Sequence, residues 1–298
     1  MSMAQSTFEE LIKGIQEGQI VPYLGLEVLQ GSVNEETGEP IPADSDSLIY
    51  AMNAGKPMAP RLMYEFARAA MHIELKRGRS AVTKFLDKLY GEIKWTRSLF
   101  HDWLETIKPK YVIDINRDTQ LQDSYKNTPH TLIRGVARIT ANDYRFVVYH
   151  YNGKEYQEIL QEEADTNLPI LFKPMGTPLP AGEYIASDAD YVDYITELMG
   201  GFAIPSFLKE YRKDKQYLFI GMDMNRDTER MVLSDMIYAA ADKPAAWALI
   251  PNPSDKEKRF CKRKNIEIIE ADFKDLLKSA NVDTSSLENI TVAQSVGC

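Results

Sequence analysis

Cysteine is nearly absent from this chain of 298 residues; Cys261 and Cys298 are its only two. That scarcity excludes a disulfide framework or a cysteine-rich metal site, and it implies a reduced, cytoplasmic setting. No apolar run approaches the roughly 18 residues that a membrane-spanning helix needs. The opening stretch MSMAQSTFEELIKGI is acidic and amphipathic. It lacks the basic start and apolar middle of a signal peptide. Positive charge is also short, with a formal net charge of −9. A nucleic-acid partner needs a basic face. The dense basic runs, Lys76-Arg77-Gly78-Arg79 and Lys256 to Lys264, read as solvated helix or loop surface. We expect neither nucleic acid nor membrane as a partner, and no metal.

What is present is ordinary globular material, 44% hydrophobic and 27% charged. The pattern predicts an α/β fold: a Rossmann-like, mostly parallel sheet flanked by helices, with an inserted β-hairpin and a helical region. One domain spans residues 1–280, with the helical insertion at about 55–108 and the hairpin at about 144–160. Residues 281–298 form a tail. Buried-strand candidates are Gln19 to Gly25, Tyr111 to Ile115, Leu168 to Lys173, Tyr217 to Met222, Ala245 to Ile250 and Ile266 to Ile269. Pro22 argues that the first is an edge strand or starts late. Helical spacing marks Thr7 to Glu17, Arg61 to Leu75, Ser80 to Tyr90, Leu99 to Ile107, Asp188 to Met199, Thr228 to Ala241 and Phe273 to Ser279. Residues 30–60 read as loop with brief helical turns. Asn152-Gly153 supplies the two left-handed positions of a type I′ turn for the hairpin. Alternating strands and helices imply right-handed crossovers.

A tetrapeptide occurs twice: Asn116-Arg117-Asp118-Thr119 and Asn225-Arg226-Asp227-Thr228. Each lies just past the carboxyl end of a strand, the edge where open α/β sheets bind ligands. Either the Asp and Thr cap two helices, or two Asn-Arg-Asp groups share the rim of one crevice.

The order of motifs resembles a sirtuin-like (silent information regulator type) domain. Val21-Pro22-Tyr23-Leu24-Gly25 stands where that family has a strand entering a glycine-rich phosphate loop. Ile115-Asn116-Arg117-Asp118 stands at its Thr-Asn-x-Asp, and Lys173-Pro174-Met175-Gly176 at its Lys-x-His-Gly. Gly221-Met222-Asp223-Met224-Asn225-Arg226-Asp227 stands at its Gly-x-Ser-x-x-Asp. Tyr184 to Tyr191 resembles the segment that follows the histidine strand. The likeness runs from about Phe8 to Leu277. It implies NAD as cofactor, bound through Gly25, Asn116, Asp118, Gly176, Gly221 and Asp227, with Asn116, Asp118 and Asp227 as the catalytic group if the chain is active.

Two departures set the functional expectation. Glu27 places a carboxylate in the loop where a pyrophosphate would lie. Met175 replaces the histidine base, and a thioether accepts no proton at neutral pH. Of the four histidines, His130 and His150 are the candidates to fold over the crevice instead. The expectation is a non-catalytic accessory or binding protein without NAD, acting through a protein partner. The aromatic hairpin and the run Tyr184 to Tyr194 are its candidate contact surfaces. The alternatives are an NAD-consuming hydrolase or transferase with altered residues, or a phosphate-ligand site clamped by Arg117 and Arg226. The stretches at residues 15–29 and 108–125 further resemble sirtuin-like proteins encoded beside nitrogen-fixation genes, which implies a nitrogenase component as the partner.

Overall fold

A computed structural model describes residues 3–138, 143–238, 240 and 244–287. Cys298 and the end of the tail lie outside the described residues. The chain opens with α1 (Met3–Gln16) and enters β1 (Ile20–Leu24). A helical region follows, comprising α2 (Ser45–Met52), α3 (Pro60–Met63), α4 (Phe66–Arg77), α5 (Arg79–Leu86) and α6 (Leu99–Ile107). Next come β2 (Tyr111–Asp114), α7 (Gln120–Ser124), β3 (His130–Gly135), β4 (Phe146–Tyr151), β5 (Tyr156–Ile159) and β6 (Ile170–Lys173). A two-stranded ribbon, β7 (Gly176–Thr177) and β8 (Glu183–Tyr184), leads into α8 (Asp188–Gly200) and α9 (Ser206–Tyr211). The chain closes through β9 (Gln216–Ile220), α10 (Asp227–Met236), β10 (Ala246–Leu249), α11 (Asp255–Arg263), β11 (Ile266–Ile269) and α12 (Phe273–Ser279).

The main sheet has the order β11-β10-β9-β1-β2-β6-β3-β4-β5. It is parallel from β11 through β3. The strands β4 and β5 extend it antiparallel. Alternate residues of each strand face opposite sides, as the pleat requires. Val21, Tyr23, Tyr111 and Ile113 join one core with α8, α9, α10 and α11. Ile20, Leu24 and Val112 join another with α1, α6, α7 and α12. A third apolar cluster lies within the helical region, beneath α2, α4 and α5. Both sheet faces are therefore covered, which is why the strands read as continuous apolar runs.

The structure corrects four expectations. β1 is central, paired with β9 on one side and β2 on the other. Gly25 donates to Ile220 of β9, and Leu24 accepts from Ile115 beyond β2, so Pro22 faces the β2 side. Pairing with β2 starts only at Tyr23, and the missing N–H of Pro22 breaks no ladder bond. The hairpin forms, but not around a type I′ turn. Tyr151 pairs with Tyr156 across four residues, Asn152 accepts from the N–H groups of Lys154 and Glu155, and of that dipeptide only Gly153 has positive φ. β3 was not expected at all. Finally, Tyr184, Tyr191 and Tyr194 are buried and offer no contact surface. Within the expected tail, Thr284 and Leu287 are buried against the body.

Candidate functional site

Chain order around β1 creates a switch point. The chain runs outward from β1 through β2 to the hairpin edge, then returns to β9, β10 and β11 on the other side. The crevice between the carboxyl ends of β1 and β9 is where this architecture places a ligand. Gly25 ends β1 and Gly221 follows β9. The N–H of Gly25 donates to the Ile220 carbonyl at 2.9 Å, and the N–H of Glu27 donates to the Gly221 carbonyl at 3.1 Å. A Cβ on Gly25 would collide with Gly221, and Gly221, at φ +67, is packed against Val28 and Glu27. The two backbones touch, and loop amides that a phosphate cradle would need are spent on β9.

Asn116 braces this junction. Its Nδ2 donates to the Gly25 carbonyl at 2.9 Å, and its own N–H donates to Asp114 Oδ1 at 2.9 Å. Asp118 Oδ1 accepts the N–H of Gln120 at 2.7 Å, closing the start of α7. The Asp118 carbonyl accepts from Thr177 beside Gly176 at 3.3 Å. Gly176 has φ +90, and a Cβ there would collide with Glu183 across the ribbon. Gly25, Asn116, Asp118, Gly176 and Gly221 thus form one continuous line along the carboxyl edge. Asp227 does not join them. It opens α10 on an exposed surface, bonded to Arg230 and 3.5 Å from Lys256.

A cavity of about 290 Å³ lies over the β1–β9 end. Glu27, Asp44, Asp46, Asp223 and Glu229 line it, against Arg226 as the one cation. Burial raises the Glu27 carboxyl, with the Asp223 charge adding to it. Glu229 is pushed up to about 8 by burial, then by Asp223 and Glu65. Arg226 pairs with Asp223 at 3.0 Å, donates to the Tyr64 carbonyl and lies 5.2 Å from the centre of the Tyr64 ring. Arg117 is buried, donating to the Ile185 carbonyl at 3.0 and 2.6 Å and to Tyr191 Oη at 3.2 Å. The Arg117 guanidinium is committed inside the fold, whereas Arg226, though paired with Asp223, still lines the cavity.

Met175 is 1% exposed, in the apolar core with Ile133, Phe172 and Ile185. His130 starts β3, and His150 pairs opposite Thr131, so both sit at the amino edge of the sheet, away from the crevice. Neither stands in for the missing base. Among the described residues no cluster of three His, Cys, Asp or Glu is placed to hold a metal ion.

The repeat is longer than four residues. Asp114-Ile115-Asn116-Arg117-Asp118-Thr119 matches Asp223-Met224-Asn225-Arg226-Asp227-Thr228 at five of six positions. In both copies the first aspartate accepts from the asparagine N–H at 2.9 Å. Extending the repeat by two residues would have exposed Asp114 and Asp223. The helix starts differ: Asp118 closes α7 itself, whereas Thr228 of α10 bonds through its N–H and hydroxyl to Glu65 of the helical region. Asp114 carries a further role. Its Oδ2 lies 2.7 Å from Lys173 Nζ, and both side chains are fully buried.

The fold and its switch point define a Rossmann-like α/β protein. The family model of the SIR2-like domain matches residues 110–269, more than half of the chain, and the chain belongs to that family. The matched stretch runs from β2 through β11 and includes Asn116, Asp118, Met175 and Gly221. β1 and the Gly25 loop precede it. No curated protein matches the sequence. No helix among the described residues is long and apolar enough to cross a membrane.

Proposed function

We propose that this SIR2-like chain is a non-catalytic binding protein that works through a protein partner. The observation that carries this reading is the state of the β1–β9 crevice. The Gly25 and Glu27 amides are bonded to β9, and Glu27, Asp44, Asp46 and Asp223 line the cavity above them, beside a Glu229 that burial pushes up to about 8 and so keeps largely uncharged at neutral pH. A pyrophosphate would meet like charge there and lack those amide donors, so the lining does not fit NAD. Met175 in the apolar core leaves the family's base position without a proton acceptor.

A contact surface is available on α8. Val192 and Met199, seven residues apart on one helix face, are 66% and 73% exposed. Phe202 follows them, with Tyr144 at 6.3 Å between ring centres. Exposed apolar groups gathered in this way favour a protein interface. A nitrogenase component as partner rests on the sequence likeness of residues 15–29 and 108–125 alone.

One observation favours the rival, an NAD-consuming hydrolase: Asn116 Oδ1 is buried without a hydrogen-bond partner beside the crevice. Pure protein incubated with NAD separates the two. The binding reading expects no nicotinamide release above a blank. Steady release that vanishes in Asn116→Ala would overturn it.

A further inference from the structure

A second cavity, of about 500 Å³, opens between the wide turn after α5, the loop of the β7–β8 ribbon and the start of α7. Glu35, Asp87, Glu92, Asp118 and Asp123 line it, against a single cation, Lys94. An acidic wall alone would be a solvated surface. Asp118 makes this one different. It is 2% exposed, and while Oδ1 accepts from Gln120, Oδ2 is buried with no donor among the described residues. Buried carboxylate oxygens are normally satisfied, so this one points to a donor from outside the chain.

The rest of the wall narrows the class of that donor. Tyr90 and Trp95 line the cavity, as do Pro178 and Leu179. Tyr90 is buried, and burial followed by the Asp118 charge raises its phenol, so the ring stays neutral. The indole N–H of Trp95 is spent on the Leu89 carbonyl at 2.6 Å. Asp87 is held by the Tyr184 hydroxyl at 2.9 Å, and Asp123 by the Thr119 hydroxyl at 2.9 Å. Fixed carboxylates beside aromatic rings suit a cation that combines N–H donors with an apolar body. A hard metal ion suits the site less, because no three ligating groups among the described residues converge.

We propose that this cavity binds an organic cation, a guanidinium or primary ammonium head on a short apolar stem, with Asp118 Oδ2 accepting from the head. The inference does not depend on the partner-binding reading, and its test uses no NAD.

The test is calorimetric titration of the full chain with agmatine, with a short arginine peptide, and with the same peptide carrying neutral citrulline. The expected result is saturable binding of agmatine or of the arginine peptide, and silence from the citrulline peptide. Agmatine binding identifies a free small cation as the ligand. Binding of the arginine peptide alone identifies a side chain of another protein. Asp118→Asn keeps the acceptor for Gln120 and removes the charge, and affinity falls about tenfold or more. Should that variant not fold, Glu92→Gln at the exposed rim is expected to weaken binding about twofold to fivefold. No saturable heat from either cation, or an affinity unchanged in a folded Asp118→Asn protein, overturns the proposal.

Discussion

Lys173 and Asp114 show how much a single pair of residues decides at the carboxyl edge. Burial pushes the Asp114 carboxyl above the usual carboxylate range, and the Lys173 ammonium pulls it back. Asp114 also receives the Asn116 N–H, so the pair anchors the bracing of Gly25. Lys173→Met leaves a buried carboxylate unpaired, and chemical denaturation is expected to show a loss of about 3–5 kcal/mol. The double variant Lys173→Met/Asp114→Leu removes both charges, and most of that loss returns. A double variant as unstable as the single one would show that the pair matters through Asn116 instead. Lys173 was visible in the sequence as a motif residue. Its partner was not, because the contact spans 59 positions and only strand register brings the two together.

Among elements, the hairpin is the one whose sequence signal was clear and whose detail was not. The apolar alternation of residues 145–159 marked β4 and β5, yet β3 completed the meander unseen. β3 is buried along its whole length and shows little alternation. Its first residue ties the three strands together. His130 Nδ1 lies 2.8 Å from the Thr128 carbonyl, so it carries the proton, and Nε2 accepts from the Tyr156 hydroxyl at 2.9 Å. Burial lowers His130 to about 4. A folded value below the unfolded one of about 6.5 means that the unfolded chain takes up the proton first. The contribution of His130 to stability is complete above pH 6.5 and is lost as pH falls towards 4, on the order of 3 kcal/mol. Thermal unfolding from pH 7 to pH 4 is expected to show a shallower acid loss in His130→Gln than in the native chain. Parallel curves would mean that the imidazole titrates normally.

At the scale of the whole molecule, acidic side chains gather around cavities beside the carboxyl edge of the sheet. Two cavities whose charged lining is mainly acidic open near it, and Val192 and Met199 of α8 line neither. A partner that docks by the apolar patch is therefore separable from one that docks by charge. In a pull-down from the native host, Val192→Glu/Met199→Glu is expected to lose the captured protein while its unfolding free energy stays within about 0.5 kcal/mol of native, as surface changes do. Capture unaffected by that variant, but abolished by added salt, would move the interface to an acidic face.

The sequence by itself determined the layered α/β plan. Apolar runs of strand length, alternating with amphipathic helices, have few other ways to bury their faces. It also determined the two losses at the family motifs, since Glu27 and Met175 are matters of residue type. Only the tertiary structure decided what those positions touch. Gly25 closes on Gly221 because β1 and β9 pair in register, and the register is set by strands almost two hundred residues apart. Tertiary contacts also turned Arg117 inward onto Ile185 and left Asp227 on an exposed surface. They left one oxygen of Asp118 buried without a donor among the described residues, because side-chain satisfaction depends on neighbours that no local pattern encodes.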